Sequence, residues 1–257
     1  MKEPVAIIGI GELGGVFARG FLRLGHPVFP LVRAQDPQEL AAELPQPAAV
    51  VVAVAEQDLH PVLKSIPVVW KPRLTLLQNE LLPADWKRHD IDDPTVISVW
   101  FEKKAGREAK VILPSPAYGP GAGLLRDALQ TMDIPVRVLD NESRLLFELV
   151  RKNVYILTTN VAGLVTGGTV HDLWHNHQPL ARTVALEVVE LQESLTGERL
   201  DGEALVAGMV EAFDGDPEHR CTGRSAPARL ARALQLADKA GIEAPRIREI
   251  AASHLKS

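Results

Sequence analysis

The chain has 257 residues, of which 46% are hydrophobic and 24% charged, the balance of a folded protein with room for one large domain or two ordinary ones. A formal net charge of −5 argues against a nucleic-acid partner, because phosphate binding needs a local basic excess and Lys103-Lys104 is the only adjacent lysine pair. The single cysteine, Cys221, excludes an internal disulfide and any multi-cysteine zinc site, and no run of about 18 uncharged apolar residues is available to span a membrane.

The first half alternates strand and helix signals. Val5 to Ile10 reads as a buried strand, followed by a glycine-rich turn and a helix whose apolar positions include Leu13, Val16, Phe17, Phe21 and Leu24. Gly25 ends that helix, and Pro27 prevents its resumption. A second strand is predicted over Val28 to Val32, a short helix over residues 38 to 44, and a third strand over Ala49 to Val54. These continuous apolar runs suit a parallel sheet covered on both faces. Further strands are predicted at Leu74 to Leu77, Thr95 to Phe101, Lys110 to Leu113 and Val136 to Leu139, with a helix over Leu124 to Met132. The charge-rich stretch Glu102 to Lys110 reads as a solvated turn.

Beyond about Asn141 the strand signals stop. Helices are predicted over Glu142 to Thr166, Pro179 to Leu195, Gly202 to Phe213, Ala226 to Ala240 and Pro245 to Leu255. The switch predicts a boundary between an α/β domain, residues 1–141, and an all-α domain, residues 142–257. The apolar run at the start begins at Pro4 and is broken by four glycines, unlike a signal peptide, so a cytoplasmic protein is expected.

Gly9-Ile-Gly11-Glu-Leu-Gly14 matches G-x-G-x-x-G between a predicted strand and a predicted helix. Gly9 permits the tight turn, Gly11 lets the backbone approach a pyrophosphate, and Gly14 lets the helix lie close to the strand. Phosphate then meets free N–H groups at the helix N-terminus. The expectation is a Rossmann dinucleotide-binding domain, with Gly9, Gly11, Glu12, Leu13 and Gly14 around the cofactor. The alternative is a glycine turn kept for packing. Arg33 follows the second strand where NAD-binding proteins carry an acid, so NADP is the expected cofactor; otherwise Arg33 is an ordinary loop cation.

Lys152 and Asn160 lie on the long apolar helix, about 80° apart around its axis and about 12 Å apart along it, so both can line one groove. Partial burial lowers an ammonium's pKa and makes it a proton donor to a developing alkoxide. The alternative is a lysine that reaches solvent beside Arg151. His171, His175 and His177 have some spacing in common with zinc sites but no intervening glutamate, and no metal is expected. Arg220 and Arg224 flank Cys221 and would lower its pKa; a lone cysteine without a base is nonetheless expected to be inert. The four tryptophans read as packing residues.

These pieces together resemble the ketopantoate reductase family (2-dehydropantoate 2-reductases), as a divergent member. The resemblance rests on the Gly9–Gly14 turn, Arg33, Gln78-Asn79, Arg151-Lys152 with Asn160, and the late segment Ala237-Asp-Lys-Ala-Gly-Ile-Glu-Ala-Pro245. It implies a Rossmann domain followed by a helical domain, with substrate and nicotinamide in a cleft between them. It implies Lys152 as the catalytic lysine, Asn79 at the cofactor–substrate junction, and Asn160 as a substrate-binding residue. A small-molecule substrate and a homodimer complete the expectation. Several positions depart from the family pattern. Glu80 replaces the glycine of Q-N-G, and Ala55-Glu56 stand where a lysine is usual. Ile156 replaces an asparagine, and Arg224-Ser225-Ala226-Pro227 carries no acid where the family has a substrate-binding glutamate. Ser225 reads instead as an N-cap, with Pro227 in the first helical turn. The reading is an NADP-dependent reductase of a small 2-oxo acid or related carbonyl compound. The rival is a dinucleotide-binding protein that has lost its activity.

Overall fold

A computed structural model describes residues 2–255. The chain divides into two compact units, Met1–Glu148 and Leu149–Ser257.

The first unit is built on a seven-stranded sheet. Its strands are β1 (Val5–Ile8), β2 (Val28–Leu31), β3 (Ala49–Val52), β4 (Leu74–Leu76), β5 (Thr95–Ile97), β8 (Ser115–Tyr118) and β9 (Val136–Val138), in the order β2-β1-β3-β4-β5-β8-β9. Every pairing is parallel except β5 with β8. The residues of β1 and β3 are wholly buried, as uninterrupted apolar strands in a parallel sheet should be. Helices α1 (Glu12–Leu24), α2 (Pro37–Glu43), α3 (Leu59–Ser65), α4 (Pro83–Lys87) and α5 (Ala122–Gln130) connect the strands. Phe17 and Phe21 of α1 and Leu125 and Leu129 of α5 join Val5, Val51 and Ile97 in one core. Gly20 makes the helix crossing close, since a Cβ there would stand 2.7 Å from the carbonyl oxygen of Ala128.

Two predictions for the sheet change. The single strand expected over Thr95 to Phe101 is broken: β5 ends at Ile97, and β6 (Phe101–Glu102) pairs with β7 (Lys110–Val111) in a separate two-stranded sheet. The Ser98 N–H donates to the carbonyl of Pro116, and the Trp100 N–H to the Ser115 hydroxyl. The first bond continues the β5–β8 register by one residue, and the second replaces a backbone acceptor with a side-chain one, so the regular ladder ends there. Strand β8 was not expected, because Ser115-Pro116 supplies neither β-branched residues nor a backbone donor at the second position.

The second unit is helical: α6 (Glu142–Thr166), most of which lies in it, then α7 (Val170–Asn176), α8 (Gln178–Thr196), α9 (Gly202–Gly215), α10 (Ala226–Ala240) and α11 (Pro245–His254). Val154, Val161 and Ala162 of α6 are fully buried, as are Val188 of α8, Met209 of α9 and Leu230 of α10. Gly197 and Gly241 end α8 and α10 in the left-handed conformation, the usual glycine helix stop. Buried Glu187 of α8 accepts from the N–H groups of Arg246 and Ile247, both at 2.8 Å, and so satisfies the first donors of α11. Among the described residues no helix is long and apolar enough to cross a membrane.

Candidate functional site

In the first unit, the carboxyl ends of β1, β3, β4 and β5 lie along one edge of the sheet, where the chain after β1 makes the glycine turn. Gly9 sits at φ +89°, and a Cβ there would stand 2.7 Å from the carbonyl oxygen of Ala53. A Cβ on Gly14 would collide with the carbonyl oxygen of Gly9, so Gly14 lets α1 start hard against the strand exit. Gly11 differs from both. It is the N-cap residue of α1, with φ −70°, and a Cβ there would meet no atom within 4 Å. The chain itself makes no demand for glycine at position 11. Behind it the first N–H groups of α1 have no intrahelical acceptor, the arrangement that receives an anion.

Glu12 and Leu13 open α1. Leu13 is half-buried against the core, whereas the Glu12 carboxylate is half-exposed and pairs with Lys103 at 3.1 Å. Asn79 is exposed in the turn after β4, on the same sheet edge. The preceding residue fixes that turn: Gln78 donates to the carbonyl of Val52 at 2.7 Å, tying the exit of β4 to that of β3. Glu80 adopts φ +58°, so the left-handed conformation natural to glycine is kept here without the glycine.

Arg33 follows β2 on an exposed turn and donates to Asp58 at 2.7 Å. Asp58 comes from a 3-10 turn, Glu56–Asp58, at the exit of β3. Reading only the end of the second strand misses this acid, because it lies 25 residues away in sequence.

In the second unit, Lys152 is part-buried on α6. Burial, then the Arg229 and Arg151 charges, lower its pKa to about 7. Its Nζ stands 5.4 Å from the centroid of the Tyr155 ring, a contact that favours the charged form and so opposes burial. Arg151 turns to α9, donating to the carbonyl of Gly208 and pairing with Glu211 at 2.9 Å. Asn160 is buried, and its Nδ2 donates to the carbonyl of Ile156 at 2.8 Å. Its Oδ1 has no hydrogen-bond partner among the described residues, an arrangement that costs free energy unless something else donates. Tyr155 also packs against Phe213, at 5.7 Å between ring centroids. Arg229 and Tyr155 had no sequence signal, since no local motif marks them.

Three other features differ from or refine expectation. Cys221 is buried and its pKa is pushed up to about 12, by burial first and then by Asp172, so Arg220 and Arg224 do not activate it. Cys221 packs closely on α6, where a Cβ on Gly163 would stand 2.6 Å from the Cys221 Cβ. Ser225 occupies the N-cap position of α10 but its side chain makes no cap bond, because its backbone is already helical. The His171 and His175 rings stack at 3.9 Å, and His175 Nδ1 bonds to the His171 carbonyl. Among the described residues no group of three or more His, Cys, Asp or Glu is disposed to hold a metal ion.

No protein-family model and no curated protein matches the sequence. Solved structures do. The 2-dehydropantoate 2-reductase from Methylococcus capsulatus is 13% identical with a TM-score of 0.70, covering 97% of this chain and 95% of its own. D-mandelate dehydrogenase with NADH and anilino(oxo)acetate is 15% identical with a TM-score of 0.67, covering 97% and 96%. The dimeric ketopantoate reductase from Staphylococcus aureus is 15% identical with a TM-score of 0.64, covering 97% and 98%. Over nearly its whole length, then, the chain has the ketopantoate reductase fold: an α/β Rossmann-like domain followed by a helical one.

Proposed function

We propose that the chain is an NADP-dependent reductase of a small 2-oxo acid or a related carbonyl compound. The observation that carries this reading is Lys152, a part-buried lysine with a pKa near 7 on the same helix as the unsatisfied Oδ1 of Asn160. A general acid works best with a pKa near the operating pH. An unpaired buried amide oxygen suits a ligand that brings a hydroxyl or N–H donor.

The turn at Gly9–Gly14 fits a dinucleotide. Support comes from Gly11, whose missing Cβ leaves space that no protein atom uses, in front of the N-terminus of a 13-residue helix. In this reading the backbone of Gly9, Gly11, Glu12, Leu13 and Gly14 surrounds the pyrophosphate, Arg33 takes the 2′-phosphate, and Asn79 lies at the junction with substrate. When bound, a reduced nicotinamide would supply hydride to the carbonyl carbon. Lys152 donates a hydrogen bond to the carbonyl oxygen and gives up its proton as negative charge develops there. Its neutral form is tolerable after the transfer, because burial and the neighbouring Arg229 and Arg151 charges already disfavour the ammonium. Asn160 offers Oδ1 to a substrate donor and holds the molecule in register.

The reading is completed by a homodimer, as the structurally similar Staphylococcus aureus ketopantoate reductase is described to be, acting on a small-molecule substrate in the cytoplasm. A second reading, a dinucleotide-binding protein without turnover, is favoured by Arg224-Ser225, where the family resemblance calls for an acidic residue. A panel of 2-oxo acids with NADPH separates the two. Turnover that falls about 10²- to 10⁴-fold in Lys152→Ala, with NADPH affinity retained, is expected of the reductase. Tight NADPH binding without reduction of any 2-oxo acid would establish the second reading.

A further inference from the structure

Lys103 has no role in the reading above, and its sequence context predicted a solvated turn. Its side chain is only 10% exposed. The chain leaving β5 follows the sheet edge that carries the glycine turn, and Phe101 packs at 6.4 Å from Phe17 of α1. That packing holds the next residues against the start of α1. The Lys103 ammonium lies 3.1 Å from the Glu12 carboxylate, in the first turn of the helix, and donates to the carbonyl of Lys104 at 2.7 Å.

Two physical points follow. An ammonium has three N–H donors, and these contacts use two of them. An acid in the first turn of α1 complements the helix dipole but repels any anion placed at the same N-terminus. Taken with the open space at Gly11, the Lys103 ammonium, largely withdrawn from solvent and paired with Glu12 in the first turn of α1, is placed to offset that repulsion. We propose that Lys103 is a cofactor-binding residue, whose ammonium bridges Glu12 and the pyrophosphate of a dinucleotide seated on the Gly9–Gly14 turn. The assignment rests on the dinucleotide reading of that turn. It makes Lys103 rather than Arg33 the cation common to both nicotinamide cofactors, because the pyrophosphate is shared and the 2′-phosphate is not.

The test is titration of NADH and NADPH into the intact protein and into Lys103→Gln, Lys103→Arg, Glu12→Gln and the Glu12→Gln/Lys103→Gln double variant, with thermal midpoints as the folding check. Losing a charge-assisted hydrogen bond to phosphate should weaken both cofactors by the same factor, about tenfold or more, in Lys103→Gln. The loss should persist in the Glu12→Gln background, and Lys103→Arg should recover most of it. Binding by Lys103→Gln within twofold of the unmodified protein overturns the assignment. So does a loss that vanishes once Glu12 is neutral, since Lys103 would then only screen the acid. Failure of the unmodified protein to bind either dinucleotide is a distinct result: it removes the reading of the turn, and the role of Lys103 with it.

Discussion

The Nζ of Lys152 stands 5.4 Å from the centroid of the Tyr155 ring, three residues further along α6. The ring attracts the ammonium, whereas burial, Arg229 and Arg151 disfavour it. The balance leaves the pKa at about 7, so the proton is neither fixed nor absent near neutrality.

This balance fixes two pH dependences. If protonated Lys152 is the acid, kcat/KM falls tenfold per pH unit above about 7, and Tyr155→Leu moves the break to lower pH by removing support for the cation. Stability runs the other way. The folded pKa is below that of an unfolded lysine, so the unfolded chain binds the extra proton between about 7 and 10.5 and stability rises with pH across that window. Below about 7 the penalty is fully present, with an upper bound of about 5 kcal/mol. Lys152→Met should therefore raise the thermal midpoint more at pH 6.5 than at pH 10. Equal effects at the two pH values would mean that Lys152 titrates as an ordinary lysine.

Arg33 and Asp58 bear on cofactor choice. An exposed pair such as this has little intrinsic worth, so a 2′-phosphate can displace the carboxylate from the guanidinium, though Asp58 opposes its approach. NADPH is expected to bind more tightly than NADH. Arg33→Ala should weaken NADPH by about tenfold and leave NADH unchanged, while Asp58→Asn should tighten NADPH. Calorimetric titrations giving equal affinities for the two cofactors in the unmodified protein would rule out the NADP preference.

Ketopantoate itself should be a poor substrate. The segment before α10 offers Arg224 and Ser225, both exposed, in place of a carboxylate that would bind the substrate's hydroxyl. A missing charged hydrogen bond is worth about 1.5–3 kcal/mol, or roughly 10- to 150-fold in affinity or rate. Steady-state turnover with kcat/KM at or above about 10⁵ M⁻¹s⁻¹ would show that another residue does the work of that carboxylate.

What the sequence disclosed divides along a physical line. Helices α6 and α10 have the predicted bounds, Glu142–Thr166 and Ala226–Ala240, because apolar period and glycine stops are local signals. The glycine turn is legible for the same reason: strand, turn and helix follow within 20 residues. Strand β8 is not legible, since its place in the sheet comes from partners on β5 and β9 rather than from Ser115-Pro116-Ala117-Tyr118 itself. The contact of Lys103 with Glu12 spans 91 residues, and that of Arg33 with Asp58 spans 25. Charges brought together by tertiary packing leave no periodic trace, so the residues of the candidate site found by motif are accompanied by others visible only in the fold.

Gly14 and Gly11, two of the three glycines of the turn, give the sharpest separation of packing from binding. Gly14 is required by the protein: a Cβ there collides with the Gly9 carbonyl oxygen and stands 3.3 Å from the Ala53 Cβ. Gly14→Ala should displace α1 from the sheet and destabilise the fold by about 1–3 kcal/mol, as overpacking does, with or without any ligand. Gly11 faces open space, so Gly11→Ala should change the thermal midpoint little, the residual cost being that alanine is a poorer N-cap than glycine. If a pyrophosphate sits in that space, the added methyl occupies the volume of a phosphate oxygen, and NADPH affinity should drop by more than tenfold in a protein that is otherwise folded. If Gly11→Ala binds NADPH as the unmodified chain does, the phosphates lie elsewhere. The turn would then owe its glycines to the close approach of α1 and β3, for which Gly9 and Gly14 suffice.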